Sequence, residues 1–281
     1  MAATCIITDN SVQFAKHTFP GRNLIYQVPF RVKVDGEFVG NDPLYKVSSL
    51  PTRIQPDQSP ELIAPTIDEC AAAIAHYGET YSNIVAILMS SKLTKAYQNL
   101  EMAAKTHRGK VSLSVIDSQT TSIGLGALVQ LAAENAAKGS SIAEIELKIR
   151  GKIPKIYSQF CLSNLSYLSK GEIISKSQSM LGEMLGILPI FAFEEGRLVS
   201  SEKVKNYRLL VENFREFVDE FSDLDQVALV QSQPPLLHEA HGLREHVNTS
   251  FTGTPFIELP INLPLAALLG PSAVGVFAIE A

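Results

Sequence analysis

The sequence predicts an α/β fold with a parallel sheet in its first part and a mixed sheet in its second. Three observations carry this. Residues 84–89 form an apolar run that ends in Ser90-Ser91, and a helical pattern follows at once, up to about Thr106. An unbroken apolar run of that length reads as a strand buried on both faces, as in a parallel sheet. Strands then alternate with helices along the first half, which implies right-handed crossovers. Beyond about residue 155 the texture changes, and Glu194-Glu195-Gly196-Arg197 makes a hairpin turn, so the second sheet is mixed.

Taken in order, Cys5 to Asp9 is a short buried strand that ends in Thr8-Asp9-Asn10-Ser11. Residues 25–34 alternate and lead through Asp35-Gly36 into Glu37-Phe38-Val39, a hairpin. A proline-rich loop, 50–60, precedes a helix over about 65–77. After the 84–89 strand and its helix, residues 111–116 form another strand, ending at Asp117-Ser118, and Gly124-Leu-Gly126 opens a long alanine-rich helix. In the second part, strands are expected at 186–193, 198–199, 227–231, 256–259 and 275–279, with helices at 176–185, 204–221 and 236–248. The stretch 259–279 is apolar but broken by Pro260, Asn262, Pro264 and Pro271. A membrane span needs about 20 mostly apolar residues with better helical continuity, so strand and loop are expected there.

Bulk properties narrow the function. The chain of 281 residues has 46% hydrophobic and 19% charged residues, enough apolar surface for substantial cores. A net charge of −5 and a pI near 5.7 argue against a surface that tracks phosphates, hence against nucleic acid. Lysine and arginine are scattered, so no basic membrane-surface helix is expected. Cys5, Cys70 and Cys161 are far apart, with no CxxC spacing, and read as buried thiols in a reducing compartment. Strand residues begin by Cys5, which leaves no room for a signal peptide. A cytoplasmic protein is expected.

The chemistry-bearing residues are few. Ser90 and Ser91 fall where strand passes into helix. First-turn N–H groups there lack intrahelical partners and the helix dipole is positive, which suits an anion. Asp9 and Asp117 each end a strand; paired carboxylates serve acid–base chemistry, but structural capping is the commoner role at such positions. His238, His241 and His246 share one expected helix, yet the order is not HExxH and no further ligand is evident, so a solvated surface is expected and no metal. Gly124-Leu-Gly126 lacks the third glycine of a dinucleotide fingerprint and is assigned to tight helix-to-strand packing. No Walker A lysine and no GxSxG elbow is present, and no cofactor is expected.

Taken together, these motifs resemble the DegV family of bacterial fatty-acid-binding proteins. The family's Thr-Asp-Ser is Thr8-Asp9-Asn10-Ser11 here, and its Ser-Ser-x-Leu-Ser-Gly-Thr-Tyr-Gln is similar to Ser90-Ser91-Lys92-Leu93-Thr94-Lys95-Ala96-Tyr97-Gln98. Its Val-Ile-Asp-Ser with a following Gly-x-Gly matches 115–118 and 124–126. Its Leu-x-Tyr-Leu segment resembles 165–182, and its His-x-Gly-Pro ending resembles 268–276. The motifs occur in order over nearly the whole chain.

The resemblance implies two domains: 1–155, a three-layer α/β/α parallel-sheet domain carrying the serine loop, and 156–281, a two-layer α/β domain with a mixed sheet covering an acyl chain. It implies a non-enzymatic carrier that holds a fatty acid or similar amphiphile between them and presents it to a separate kinase. Head-group contacts are assigned to Ser91 first, then Ser90, Arg53 and Thr52, with Lys205 and Leu268 as second-domain candidates. The departures are at polar positions. Arg53 stands for the second threonine of a Thr-Thr-Ser-Gln-Pro loop, continued here by Gln55-Pro56-Asp57. Ile173 replaces an arginine, Leu188 a lysine, Lys205 an arginine and Leu268 a histidine. A buried carboxylate needs paired donors, so either Arg53 supplies a bidentate pair or the head group is neutral. Two other classes remain open: an enzyme or kinase subunit acting on a small polar molecule, as in the related dihydroxyacetone kinase substrate domain, and a family member acting through protein contacts alone.

Overall fold

The structure is a computed structural model and describes residues 3–39, 45–54, 60–106, 111–170, 174–175, 186–233, 235 and 240–281. The chain divides into two compact units. The first comprises Met1–Arg31, Ile63–Pro154 and Glu195–Arg197; the second comprises Val32–Leu62, Lys155–Glu194 and Leu198–Ala281.

The first unit is built on four parallel strands: β1 (Thr4–Thr8), β2 (Ile25–Gln27), β6 (Asn83–Leu88) and β7 (Ser112–Asp117), in the order β2-β1-β6-β7. Residues 5–7 and 84–89 have no exposed surface, as the continuous apolar runs require. With a side-chain period of two, Cys5, Ile7, Ile84, Ala86 and Leu88 face one way. They pack on Cys70 and Ile74 of α1 (Ile67–Gly78) and on Leu100 and Ala103 of α2 (Ala96–Thr106). Ile6, Val85 and Ile87 face the other layer, formed by α3 (Ser122–Ala137) and α4 (Ile142–Lys152). Helices therefore cover both faces of a parallel sheet.

α1 and α4 each open on a capping box. Thr66 accepts from the Glu69 N–H while Glu69 accepts from the Thr66 N–H, and Ser141 and Glu144 do the same. Backbone hydrogen bonds from the cap residues hold both glutamates below the usual carboxylate range of about 4.5. A depressed folded-state pKa gives stability that is present above the unfolded value and lost as pH falls through the folded one. Acidification below about pH 4.5 is thus expected to fray both helix starts. Wild type should lose more thermal stability between pH 5 and 3 than Glu69→Ala, which lacks one box. Equal losses would sink the assignment.

The second unit contains a six-stranded mixed sheet of β8 (Ile156–Cys161), β9 (Leu188–Glu194), β10 (Arg197–Val204), β11 (Leu224–Gln231), β12 (Phe256–Pro260) and β13 (Val274–Glu280). Its order is β10-β9-β8-β13-β11-β12. The β11–β12 pair is parallel, whereas β11–β13, β13–β8 and β8–β9 are antiparallel. One face, carrying Val227, Leu229, Val274, Val276 and Ala278, packs on Leu210 and Phe214 of α6 (Tyr207–Asp219) and on Leu243 and Val247 of α7 (Ala240–Ser250). Two further short helices are α5 (Ser166–Lys170) and α8 (Leu263–Leu269). A small sheet orders β4 (Glu37–Val39), β3 (Arg31–Val34) and β5 (Pro60–Ile63) as β4-β3-β5.

Both expected hairpin turns form, with positive φ at Asp35 and Gly36 and at Glu195 and Gly196, the conformation of a two-residue primed turn. Four local readings change. Residues 25–34 are not one strand: Pro29 has no N–H to donate, and the segment splits into β2 and β3. The helix after Ser91 begins only at Ala96. The central strand β8 was not anticipated. Within 259–279 a helix forms, because Asn262 accepts from the Leu265 N–H and Pro264 occupies the first turn. The two residues read as interruptions are a helix start. The helix expected over 176–185 lies outside the described residues.

Candidate functional site

In the first unit the chain passes from β1 to β2 in one direction along the sheet and from β6 to β7 in the other. The strand order therefore reverses between β1 and β6, and the carboxyl ends of these two strands are where an open α/β sheet offers a crevice. Asp9 follows β1 and Met89-Ser90-Ser91 follow β6, so the singled-out residues converge on this edge.

Asp9 is fully buried. One carboxylate oxygen accepts from the Met89 N–H at 2.6 Å, tying the two strand ends together. The other accepts from the Ser11 N–H at 2.9 Å and from the Ser11 hydroxyl at 2.5 Å. Burial pushes its pKa up from 3.8 despite these donors. Asp117 accepts from the Ser91 N–H at 3.0 Å and the Gln119 N–H at 3.1 Å. Both aspartates thus hold loop N–H groups rather than helix starts, Asp9 through both carboxylate oxygens and Asp117 through Oδ1.

The N–H groups of the serine loop are all engaged. Ser90 N–H donates to the Thr120 carbonyl (2.9 Å), Lys92 N–H to the Ser90 hydroxyl (3.2 Å), and Leu93 and Thr94 N–H to the Ser90 carbonyl (3.1 and 3.3 Å). The expectation of free first-turn donors at Ser90-Ser91 is corrected: the helix starts later, and Asp117 and Thr120 reach in from β7's loop. Ser90 is buried, and its hydroxyl donates to the Gly196 carbonyl at 2.7 Å. A Cβ on Gly196 would lie 2.4 Å from that hydroxyl oxygen and 3.2 Å from the Gln119 Cα. Ser91 differs. It is half-buried, its carbonyl accepts from the Gln98 side chain, and its hydroxyl makes no hydrogen bond among the described residues. Of the two serines, only Ser91 keeps its hydroxyl available.

The remaining sequence-nominated residues lie in the second unit. Thr52 and Arg53 are exposed on a loop held at both ends: the Tyr167 hydroxyl donates to the Pro51 carbonyl at 2.5 Å, and the Ile54 N–H donates to the Ser166 hydroxyl at 2.9 Å. Gly270, at φ 96°, seats against the same Tyr167 ring, where a Cβ would meet Cδ2 at 3.2 Å. The tyrosine and glycine–proline motifs therefore meet at one side chain. Lys205 is exposed just before α6, whereas Leu268 is buried in α8 and offers no polar group. Gln55-Pro56-Asp57, Ile173 and His238 lie outside the described residues.

His241 contacts Glu245 at 3.0 Å and His246 contacts Asp219 at 2.7 Å. No group of three metal-ligating side chains occurs among the described residues. Cys5, Cys70 and Cys161 are buried and unpaired by disulfide. Burial pushes their thiols to about 12, 11 and 12, well above the range in which a thiolate forms. Among the described residues no helix is long and apolar enough to cross a membrane.

Sequence reasoning missed one feature. Thr8, Thr120, Thr121 and Ser122, beside the serine loop, are buried polar residues. The hydroxyl-rich run Ser118-Gln-Thr-Thr-Ser122 was its visible signal.

Comparison with known proteins agrees with the fold. A protein in the same family from Clostridium acetobutylicum is 30% identical over 212 residues, covering 73% of each chain. The fold is shared with a fatty acid binding DegV family protein from Streptococcus agalactiae (TM-score 0.85, 20% identity, all of both chains). It is shared too with the Streptococcus pneumoniae Fatty Acid Kinase (Fak) B3 protein loaded with linoleic acid (TM-score 0.81, 16% identity, 99% of this chain and 100% of that one). The family described as "Uncharacterised protein, DegV family" matches residues 3–281, so the chain belongs to the DegV family.

Proposed function

We propose that this protein is a non-enzymatic carrier of a fatty acid, with Ser91 as a direct head-group contact, and that it presents the acid to a separate kinase. The observation that carries the reading is the Ser91 hydroxyl, which sits on a hydrogen-bonded loop at the sheet's carboxyl edge yet has no partner among the described residues. Family membership and the fatty acids bound by solved relatives of the same fold supply the ligand class. Ser90 acts as a positioning residue, because its hydroxyl is spent on Gly196. Thr52, Arg53 and Lys205 are the exposed second-unit candidates for the head group or the kinase. Leu268 contributes packing only. A carrier agrees with Asp9, whose two carboxylate oxygens are both committed to structural donors. The reading places the protein in the cytoplasm, where a kinase finds its nucleotide.

Organic extraction of the purified chain followed by mass spectrometry tests the carrier role: a stoichiometric acyl lipid is expected, and its absence after gentle purification overturns it. Ser91→Ala is expected to weaken fatty-acid binding by about 10-fold, the worth of one hydrogen bond to a charged group. Binding persists because each buried CH₂ contributes about 0.8 kcal/mol. An unchanged affinity removes Ser91 from the site. Ser90→Ala should instead lower stability by about 1–2 kcal/mol.

A further inference from the structure

We infer that the amino end of α3 is an oxyanion site, taking a carboxylate or phosphate group. Two independent observations support it. The first is a buried helix start with no cap. Residues 122–126 are buried, Thr121 occupies the N-cap without bonding the first turn, and the N–H groups of Ser122, Ile123 and Gly124 have no acceptor among the described residues. The Ser122 hydroxyl is turned to the Gln13 side chain instead (2.8 Å). Four N–H groups at a helix start normally find a cap, water or ligand.

The second observation concerns side chains. The hydroxyls of Thr121 (0% exposed), Thr120 (3%) and Thr8 (0%) are buried without a partner among the described residues. Thr120 and Thr121 immediately precede the helix. Thr8 ends β1 on the face it shares with Ile6, the face that α3 covers. A buried hydroxyl left unpaired is costly, because the hydrogen bond it made to water is not replaced.

The chemistry of the set selects the ligand. It offers N–H and O–H donors, the groups that the oxygens of an anion accept from. Both oxygens of the nearby Asp9 carboxylate are engaged, by three donors in all, and Asp117 accepts two N–H groups through Oδ1. An oxygen-rich anion on a helix axis satisfies several donors at once and gains from the dipole. The oxyanion is either a free ion or the acid end of a bound lipid, and the inference stands without the carrier reading.

The test is inorganic phosphate titrated into the full chain at constant ionic strength, with sodium chloride as control, followed by calorimetry. A saturable rise in melting temperature is expected with phosphate and not with chloride. Thr121→Val, which keeps the shape and removes the hydroxyl, should weaken phosphate about tenfold. Preloading with oleate separates the sources: loss of the phosphate response identifies the lipid's acid group as occupant, and its persistence identifies a free oxyanion. The inference is overturned if phosphate gives no rise, or if Thr121→Val responds as wild type does. It is likewise overturned if that variant is more stable and neither protein responds, since the hydroxyl is then merely idle.

Discussion

Gly126→Ala is expected to destabilise the protein by at least about 3 kcal/mol, or to prevent folding. A Cβ there would stand 1.8 Å from the Gln13 carbonyl oxygen and 2.8 Å from its carbon. Those are backbone atoms, so no rotamer change relieves the collision, and α3 must part from the loop that follows β1. Alanine would otherwise add about 1 kcal/mol of helix propensity, which the overlap exceeds several-fold. Gly151→Ala in α4 is the matched control: nothing lies within 4 Å of its Cβ, and a gain of about 0.5–1 kcal/mol is expected. Chemical denaturation of both variants measures the contrast. Wild-type stability in Gly126→Ala would refute the close approach.

Asp9→Ala is the second large effect, about 3–5 kcal/mol. It strips the acceptors from the Met89 N–H, the Ser11 N–H and the Ser11 hydroxyl, all buried, and each orphan costs about 1–3 kcal/mol before relaxation. It also removes the link between the carboxyl ends of β1 and β6, so the serine loop loses an anchor and ligand binding should fall along with stability. Asp9→Asn discriminates charge from shape. Because burial raises the folded-state pKa above 3.8, the group's contribution is greatest below that value and declines as pH rises through the folded one. The deficit of Asp9→Asn relative to wild type should therefore shrink as pH rises from about 4. A deficit independent of pH would contradict a buried ionisable Asp9.

Much of the fold was legible because its signals are local or strictly periodic. The 84–89 run reads as a doubly buried strand, and Asp35-Gly36 and Gly196 supply residues suited to the positive φ of their turns. Where periodicity was weak, the reading failed. β8 mixes tyrosine, serine and glutamine into Ile156–Cys161, so neither face is evident before β13 and β9 pair on either side of it. α8 was hidden because Asn262 and Pro264 break a helix when interior and begin one when terminal, and only the chain path distinguishes the two.

At the candidate site the division is sharper. The sequence alone determined that serines, aspartates and a glycine pair gather at the carboxyl ends of parallel strands, because strand ends and helix starts are written in neighbouring residues. Tertiary structure decided which polar groups stay available. Ser91 N–H is taken by Asp117, 26 residues away, Met89 N–H by Asp9, 80 away, and the Ser90 hydroxyl by Gly196, 106 away. Hydrogen-bond partners so remote are set by strand order and loop packing, not by spacing along the chain. That is why a site read as free backbone donors at Ser90-Ser91 becomes a single available hydroxyl on Ser91, with the uncapped donors displaced to α3.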